Sequence, residues 1–227
     1  DHGVHQAHGQ AHGVAGEDGS LQEVLQAINI PFVGSDATSC RRSFDKAIAG
    51  SLVSAAGISI PNAIALPQAM FRDLGAGGLL AAITEKVGLP LIIKPNRGGS
   101  ALGVSVVRDP AELPAAMVGA FAYGDVVLIQ RYIEGTEIAV GVYDIGDGPV
   151  ALPATEIVPD SGLYDYTARY TAGTTEFFTP ARLEDRLLEA AAETAVTAHR
   201  VLGLRDWSRS DLVVDADGKV WFLEVNV

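Results

Sequence analysis

Lys94 ends a short apolar run and is followed by Pro95 and a glycine-rich stretch, residues 97–103, which contains three glycines. A lysine that leaves a buried strand needs an anion nearby, and phosphate is the usual partner. Glycines let backbone N–H groups approach such a phosphate closely. The pattern therefore indicates phosphate binding, although a lysine that simply extends from a strand end into solvent fits it equally well.

A second group of polar residues lies near the end of the chain. Asp211 begins one apolar run, and Glu224 and Asn226 are two residues apart in the next. Because side chains alternate along a strand, Glu224 and Asn226 share a face, and a hairpin could bring Asp211 beside them. Oxygen ligands of this kind suit Mg²⁺. Arg209, on the face of Asp211, could contact a phosphate or an oxyanion.

The alternative for this hairpin is a pair of solvated acidic strands. Phe222, Leu223 and Val225 disfavour it, because they make this strand the least surface-like one in the chain. The sequence therefore favours a magnesium site over an exposed acidic surface.

A tyrosine cluster, Tyr164, Tyr166 and Tyr170, shares residues 158–178 with Asp165 and Arg169. Polar aromatic side chains suit a lid that excludes water from a reaction. They equally suit a small satellite core, so the residues alone leave both interpretations open.

Other candidates are weaker. Gln130, Glu134 and Glu137 flank a strand end, where surface polarity is the simple explanation. His199 receives no role. The first twelve residues carry four of the five histidines, namely His2, His5, His8 and His12. A metal-binding tract is one interpretation, but an irregular leader is favoured because no carboxylate or cysteine completes a site nearby.

The elements that must position these residues follow from apolar periodicity and from glycine and proline. Helices are expected at residues 21–28, 44–56, 79–87, 110–120 and 183–202. Strands are expected at residues 29–33, 91–94, 104–107, 126–130, 137–143 and 150–157, and in a final hairpin of residues 211–224. Residues 62–76 and 158–178 are expected to be a connection and a long loop.

Composition narrows the class of protein. The 227 residues, 48% hydrophobic and 19% charged, suit a globular protein of one large domain or two small ones. No run of ~20 apolar residues predicts a membrane span, and the N-terminus lacks a signal-peptide pattern. A net charge of −12 works against nucleic-acid binding but not against a nucleotide. The single cysteine, Cys40, suits a reducing cytoplasm.

In chain order, these residues resemble the D-alanine–D-alanine ligases, a family of ATP-grasp enzymes. The matching stretches are His12-Gly-Val-Ala-Gly-Glu17-Asp-Gly19, Ile30-Pro-Phe-Val-Gly34-Ser, Asp45-Lys46, the Lys94-Pro95…Gly99-Ser100 loop, Leu163-Tyr-Asp-Tyr-Thr-Ala-Arg-Tyr170, Arg209-Ser-Asp211 and Phe222-Leu-Glu-Val-Asn226. The last two motifs are shared by many ATP-grasp enzymes, whereas the tyrosine loop and the first motif are far more specific.

The resemblance implies a role for each matching residue. Lys46, Lys94 and Arg169 would bind the nucleotide, Gly99 would lie in the loop that closes over its phosphates, Gln130 and Arg131 would lie at the adenine, and Glu137 at the ribose. Asp211, Glu224 and Asn226 would hold two Mg²⁺ ions. Ser100, Tyr170 and Arg209 would be catalytic, and His12 and Glu17 would lie near the first D-alanine.

The implied fold is α+β, an ATP-grasp fold whose two α+β subdomains, with mixed or antiparallel sheets, clasp a nucleotide. Residues 1–35 would be a leader and a remnant of the N-terminal substrate domain, residues 36–127 the central subdomain and residues 128–227 an incomplete C-terminal subdomain. The implied reaction is ATP-dependent ligation of two D-alanines for peptidoglycan, through an acyl phosphate, in the cytoplasm. The partners would be D-alanine and ATP, with no nucleic acid or membrane, and a homodimer is allowed.

This sequence also departs from the family pattern. The family commonly has Glu-Lys where this chain has Gln130 and Arg131, a second serine where Ala101 stands, and lysine where Arg169 stands. An amide can still accept a hydrogen bond from the adenine amino group. The family's first domain would precede Gly13 and a Pro-Gly turn would follow Val227, so the sequence predicts that these 227 residues alone do not complete ligation.

Two other functions remain open at this point. One is an ATP-grasp ligase that joins a different carboxylate to a different amine, and the other is a catalytically silent nucleotide-binding module. Phosphate release on adding D-alanine would separate the D-alanine ligase from the first, and ATP binding without turnover would support the second.

Overall fold

The computed structural model describes residues 14–74, 76–162 and 164–227. Its helices are α1 (Val14–Glu17), α2 (Ser20–Ala27), α3 (Ala37–Phe44), α4 (Lys46–Ala55), α5 (Gln68–Leu74), α6 (Ala76–Val87), α7 (Leu113–Phe121), α8 (Tyr166–Tyr170) and α9 (Asp185–Val201). A short 3-10 helix, Pro110–Glu112, leads into α7. Within these residues, no helix is both long and apolar enough to cross a membrane.

The first sheet has four antiparallel strands in the order β1-β4-β2-β3. They are β1 (Ala63–Pro67), β2 (Leu91–Pro95), β3 (Ser105–Val107) and β4 (Val126–Arg131). The expected hairpin of β2 and β3 around the glycine stretch is confirmed, with Ile93 opposite Ser105. Apolar side chains of this sheet, such as Ile93 and Ile129, pack against α6 and α7 and form one of the two cores.

The second sheet has six antiparallel strands, in the order β10-β9-β5-β7-β8 with β6 beside β5. They are β5 (Gly135–Tyr143), β6 (Val150–Ala151), β7 (Thr155–Pro159), β8 (Thr175–Phe178), β9 (Trp207–Asp215) and β10 (Val220–Asn226). The even-numbered residues are buried from Ile138 to Val142 in β5 and from Ser210 to Val214 in β9, and Ile138 and Leu212 share a core with Ala191 and Ala195 of α9. The odd-numbered residues therefore face the other way.

Several expected elements differ from those observed. No strand forms at residues 29–33, because Asn29 takes a left-handed conformation (φ 55°) after α2 and Pro31 lacks an N–H to donate. The helix expected at residues 44–56 is α4, which begins at Lys46, and Phe44 is the last residue of the separate helix α3. Asp45 interrupts them with an extended backbone, and its side chain accepts a hydrogen bond from the Ile48 N–H at the start of α4.

Both expected loops contain structure. Residues 62–76, expected as a connection, form edge strand β1 and helix α5. Pro61 and Pro67 disfavoured a strand in the sequence, but β1 lies at the edge of its sheet, where proline is tolerated. Residues 158–178, expected as one long loop, contain α8, capped by Asp165, and β8, which pairs with β7.

The two sheets do not divide at the position expected from sequence. Strand β4 continues to Arg131 and belongs to the first sheet, so a boundary at residues 127–128 falls inside it. Helix α4, expected in the central subdomain, packs Ala49 and Val53 into the core of the second sheet. The second sheet's layer therefore includes residues from well before β5.

Candidate functional site

A cleft of about 360 Å³ lies between the two sheets. The first sheet lines it with Lys94 and Gln130, and the second lines it with Glu137, Asp211 and Glu224. All five were singled out from the sequence, and the fold brings them together although they are up to 130 positions apart (224 − 94).

Two lysines reach the cleft from different elements. Lys94, on β2, is only 7% exposed, and its burial lowers its pKa from 10.5 to about 8. Lys46 begins α4, and its Nζ donates to the Gly98 carbonyl oxygen at 2.6 Å and lies 3.4 Å from the Glu224 carboxylate. Two cations at the mouth of a glycine loop suit a polyanion such as a nucleotide phosphate chain.

The glycine loop, residues 97–103, is held at both ends. Arg97 forms an ion pair of 3.0 Å with Asp45, the residue that caps α4. At the far side, the hydroxyl oxygens of Ser100 and Tyr170 are 2.6 Å apart, which joins the loop to α8. Gly98 (φ 121°) and Gly103 (φ 70°) take backbone conformations that favour glycine. The loop is thus placed over the two lysines by specific contacts.

The final hairpin places its polar residues as the sequence predicts. Asp211 is directly opposite Glu224, and Arg209 is opposite Asn226. The Arg209 guanidinium donates to both oxygens of Asp211, at 2.8 and 3.1 Å, and the Asn226 amide donates to one of them at 3.3 Å. A β-bulge between Phe222 and Glu224 lets Phe222 enter the core while Leu223 and Glu224 line the cleft.

The carboxylates of the cleft are electrostatically unequal. Burial by itself would raise the pKa of Glu224, but Lys46, Lys94, Arg169 and Arg209 together lower it to about 2. Burial and, second to it, the nearby Asp211 raise the pKa of Glu137 to about 7. A cation close to Glu137 would favour its charged form.

Burial also raises the pKa of Asp211, and Arg209 opposes that shift. The negative charge of Asp211 in turn raises the pKa of the Arg209 guanidinium. Within residues 14–74, 76–162 and 164–227, no group of three or more His, Cys, Asp or Glu side chains could hold a metal ion. The predicted ligand set has two carboxylates and one amide, and its metal-binding role stays a prediction.

Four apolar side chains also line the cleft, namely Ile92, Val104, Ile157 and Leu223, and they are called its apolar end. Gln130, which also lines the cleft, is paired with Ile92 across β4 and β2, and the more exposed Arg131 follows it. Gln130 is 5% exposed. An apolar slot with few polar groups suits a flat aromatic ring such as a nucleobase.

The tyrosine region borders the same cleft. Tyr164 and Arg169 both line it, and the Arg169 guanidinium lies 4.5 Å from the centre of the Tyr164 ring. The rings of Tyr166 and Tyr170 are 4.8 Å apart. The segment packs beside the cleft and is neither an isolated core nor remote from the lysines.

The two predicted substrate residues have different outcomes. Glu17 lies beside the cleft in a small recess that Lys46, Glu224 and Asn226 also line. Its carboxylate approaches Gly99 so closely that a Cβ on Gly99 would lie 3.2 Å from the Glu17 Oε2 atom. His12 and the other three N-terminal histidines lie outside the described residues, so their predicted roles stay predictions.

Some residues of the site were not singled out from the sequence. The Asn96 side chain accepts from the Ala47 N–H at 3.0 Å, and with Asp45 it holds the start of α4 beside β2. The capping role of Asp45 could have been predicted, since aspartate is a common residue just before a helix. Glu156 lines the cleft and is held by Arg182 at 2.7 Å. Nothing local in the sequence pairs those two residues, which are 26 positions apart.

Comparison by sequence places the chain among known proteins. The family described as D-ala D-ala ligase C-terminus matches residues 52–227. A D-alanine–D-alanine ligase of Anaeromyxobacter sp. (strain K) is 39% identical over 215 residues, which cover 95% of this chain and 67% of the relative. One from Nitrosospira multiformis is 37% identical over 224 residues, which cover 99% of this chain and 69% of the relative.

Solved structures agree in fold. The VanG D-Ala:D-Ser ligase of Enterococcus faecalis superimposes with a TM-score of 0.84 at 35% identity, over 95% of this chain and 61% of that one. The D-alanine–D-alanine ligase of Bacillus anthracis, in complex with ATP, gives a TM-score of 0.76 at 29% identity, over 95% of this chain and 66% of that one.

Two facing sheets that enclose a cleft of lysines and buried carboxylates define an ATP-grasp ligase, the fold of these neighbours. The chain belongs to the D-alanine–D-alanine ligase family. It spans about two thirds of the length of its curated relatives and a little less of the two solved chains.

Proposed function

We propose that the protein joins two D-alanine molecules into D-alanyl-D-alanine with ATP as the energy source. One observation carries the proposal. Lys94 from the first sheet and Lys46 and Glu224 from the second sheet's layer meet in a single cleft, within a family of D-alanine–D-alanine ligases. Phosphate-binding cations beside buried carboxylates suit phosphoryl transfer.

The nucleotide would lie along the cleft. Its phosphates would meet Lys46, Lys94 and the loop around Gly99, and its base would occupy the apolar end beside Gln130 and Arg131. Glu137, on β5, would accept from the ribose hydroxyls, and Arg169 would add a further positive charge near the phosphates. A solved relative, the Bacillus anthracis ligase, is in complex with ATP, which supports ATP as the nucleotide.

Asp211, Glu224 and Asn226 would hold Mg²⁺. The fit rests on their chemistry, because all three offer oxygen atoms and Asp211 and Glu224 are opposite one another. When bound, the ions would neutralise charge on the phosphate oxygens. The other roles in the reaction would be carried out by side chains of the protein.

The reaction would proceed in two displacements. A carboxylate oxygen of the first D-alanine attacks the γ-phosphorus of ATP, ADP leaves, and an acyl phosphate forms. The amine of the second D-alanine, after losing a proton, attacks the acyl carbon, and inorganic phosphate leaves with the bonding electrons. Arg209, which is bonded to Asp211 of the cleft, would stabilise the developing oxyanion once its N–H groups are free of Asp211.

Ser100, Tyr170 and Glu17 would orient the amino acids. The hydroxyl pair of Ser100 and Tyr170 is already formed, and Glu17 approaches the same loop at Gly99. Held groups of this kind accelerate a reaction by fixing the attacking amine and the acyl carbon in line. Tyr170 is 62% exposed, so a second substrate could reach this residue from solvent.

The nucleophile is proposed to be an amine and the product a dipeptide. Tyr170 is a neutral phenol, whereas a cationic side chain there would attract the carboxylate of D-lactate and disfavour an ammonium group. D-serine is the second candidate nucleophile, because one solved neighbour is described as a D-Ala:D-Ser ligase.

Phosphate release tests the proposal. The intact gene product, with ATP and Mg²⁺, is mixed with D-alanine alone or with D-alanine and either D-serine or D-lactate at neutral pH, and the products are identified by mass. Stimulation by D-alanine with mostly D-alanyl-D-alanine supports the proposal. Mostly ester, or no stimulation by any D-amino acid, contradicts it.

Glu224→Gln tests the metal assignment. The change keeps the side chain's size but removes a charge, so a higher Mg²⁺ concentration should be needed for half-maximal turnover. Glu184→Gln, on an exposed residue far along the chain that pairs with Arg186, is the matched control. Superimposable Mg²⁺ titrations of Glu224→Gln and the parent would contradict the site.

The cellular setting is also a proposal. A cytoplasmic enzyme that supplies peptidoglycan precursors fits a chain whose single cysteine, Cys40, is buried and unpaired. A homodimer is compatible with this setting, and the oligomeric state can be measured by light scattering.

A further inference from the structure

The apolar end of the cleft carries one buried amide. Gln130 lies on β4, opposite Ile92 of β2 on one side and Ala63 of β1 on the other. Because β4 is hydrogen-bonded on both sides, its backbone at this position is already used by the sheet. The group that Gln130 can offer to a ligand is therefore its side chain.

That side chain makes no hydrogen bond to any described residue. Gln130 is nevertheless 5% exposed and borders the cleft. Its amide atoms are not among the buried polar atoms without a partner, so the amide is open to the cleft, where a ligand can bond to it. Lys46 reaches the glycine loop at Gly98, whereas the strand partners of Gln130 are the apolar Ile92 and Ala63, which favours the base over a phosphate as the ligand group here.

We infer that Gln130 relaxes the choice of base, so that the cleft accepts purine nucleotides with an oxo group at carbon 6 as well as ATP. The inference rests on the proposed nucleotide site and extends it to a wider class of substrate.

The chemistry of an amide is the reason. A glutamine side chain has an oxygen that accepts and an NH₂ group that donates, and a half-turn about its last bond exchanges them. It can accept from the amino group of adenine or donate to the oxo group of hypoxanthine or guanine. A carboxylate in the same place could only accept, and it would repel an oxo group.

Inosine triphosphate is the sharpest probe, because it differs from ATP only at carbon 6 and the adjacent nitrogen. The affinities of ATP and inosine triphosphate for the 227-residue chain with Mg²⁺ are measured by calorimetry. For the parent, the two dissociation constants should agree within about tenfold. Guanosine triphosphate then reports whether the extra amino group at carbon 2 is also tolerated.

Gln130→Glu should restore discrimination. The variant should keep ATP binding and weaken inosine triphosphate, so that the ratio of dissociation constants rises by about tenfold or more. Gln130→Met, which removes both hydrogen bonds, should weaken both nucleotides alike. Gln68→Glu makes the same chemical change at the start of α5, outside the residues that line the cleft, and should leave the ratio unaltered.

The ratio is measured on one sample of each variant, so partial unfolding cancels. A parent that prefers ATP by more than about a hundredfold would overturn the inference. So would an unaltered ratio in Gln130→Glu, and either result would leave the proposed function standing. Failure of the parent to bind either nucleotide would overturn both.

Discussion

Lys94 illustrates how one residue is prepared for an anion. It lies in an apolar strand, it is almost fully buried, and Glu224 is the group that most favours its charged form. A lysine held this way gains far more from a bound phosphate than a solvated one does. The exposed lysines of the chain, such as Lys86 at the end of α6, have no comparable setting.

Lys94→Ala should weaken ATP binding by about 1.5–3 kcal/mol, because a charge-assisted hydrogen bond to phosphate is lost. The affinity is measured by calorimetry. Lys86→Ala removes an equal charge from the surface and should leave the affinity unchanged. Equal ATP affinities for the parent and Lys94→Ala would remove the phosphate role of Lys94.

Glu137 gives a prediction about pH. Its pKa is raised from 4.5 to about 7, mainly by burial. Since the folded-state pKa exceeds the unfolded one, the stability that protonation provides is full below about pH 4.5 and is lost as the pH rises through about 7. Glu137→Gln stays neutral, so its advantage in free energy of unfolding should grow from pH 5 to pH 8, up to about 3 kcal/mol.

The measurement for Glu137 is denaturant unfolding of both proteins at the two pH values, without nucleotide. Glu134→Gln, three residues away and exposed, is the control and should show no such growth. A constant difference between Glu137→Gln and the parent would mean that Glu137 is ionised in the folded protein throughout this range.

Among the elements, the strands of the second sheet are packed closely enough that one methyl group matters. A Cβ on Gly135, at the start of β5, would lie 2.2 Å from the Val214 carbonyl oxygen of β9. Strand β5 also carries Glu137, so its position affects the cleft.

Gly135→Ala should therefore destabilise the protein by about 1–3 kcal/mol, because the backbone of β5 or β9 must shift. Gly119→Ala is the matched control. A Cβ there meets no atom within 4 Å, and the residue is inside α7, where alanine is favoured by roughly 0.5–1 kcal/mol. Both are measured by denaturant unfolding, and a Gly135→Ala protein as stable as the parent would show that β5 has room to move.

The elements also show what the sequence can predict. Buried strands such as β2 and β9 and the long helix α9 were predicted because their apolar runs are uninterrupted. β1 and α8 were missed, because a proline-bounded edge strand and a five-residue helix have little periodicity. The bulge at Leu223 could not be predicted, since only the pairing with β9 shows which residue is extra.

At the scale of the whole molecule, the cleft depends on contacts between distant segments. The grouping of Lys94 with Asp211 and Glu224 could be predicted, because these residues lie in motifs that occur in the same order as in the D-alanine–D-alanine ligase family. The sequence alone gave no reason for Lys46 to reach the Gly98 carbonyl or for Glu156 to meet Arg182, because those pairs arise from packing across 52 and 26 positions. The roles assigned to the site residues stay predictions.

A nucleotide that contacts both sheets should stabilise both. At a hundred times its dissociation constant, ATP should raise the free energy of unfolding by about 2.7 kcal/mol. Hydrogen exchange should slow in β2 and β4 of the first sheet and in β5 and β9 of the second. Slower exchange in one sheet alone would place the nucleotide on that sheet and not between the two.

Arg209 and Asp211 occupy each other's hydrogen-bonding groups. A cation that takes Asp211 therefore frees the guanidinium for an anion, and an anion that takes Arg209 leaves the carboxylate in need of a cation. Their two ligands should bind with positive coupling, and by thermodynamic reciprocity each should tighten the other by the same factor, roughly 5–150-fold. The cation and the anion would therefore bind cooperatively, each weakly when alone and more tightly when the other is present.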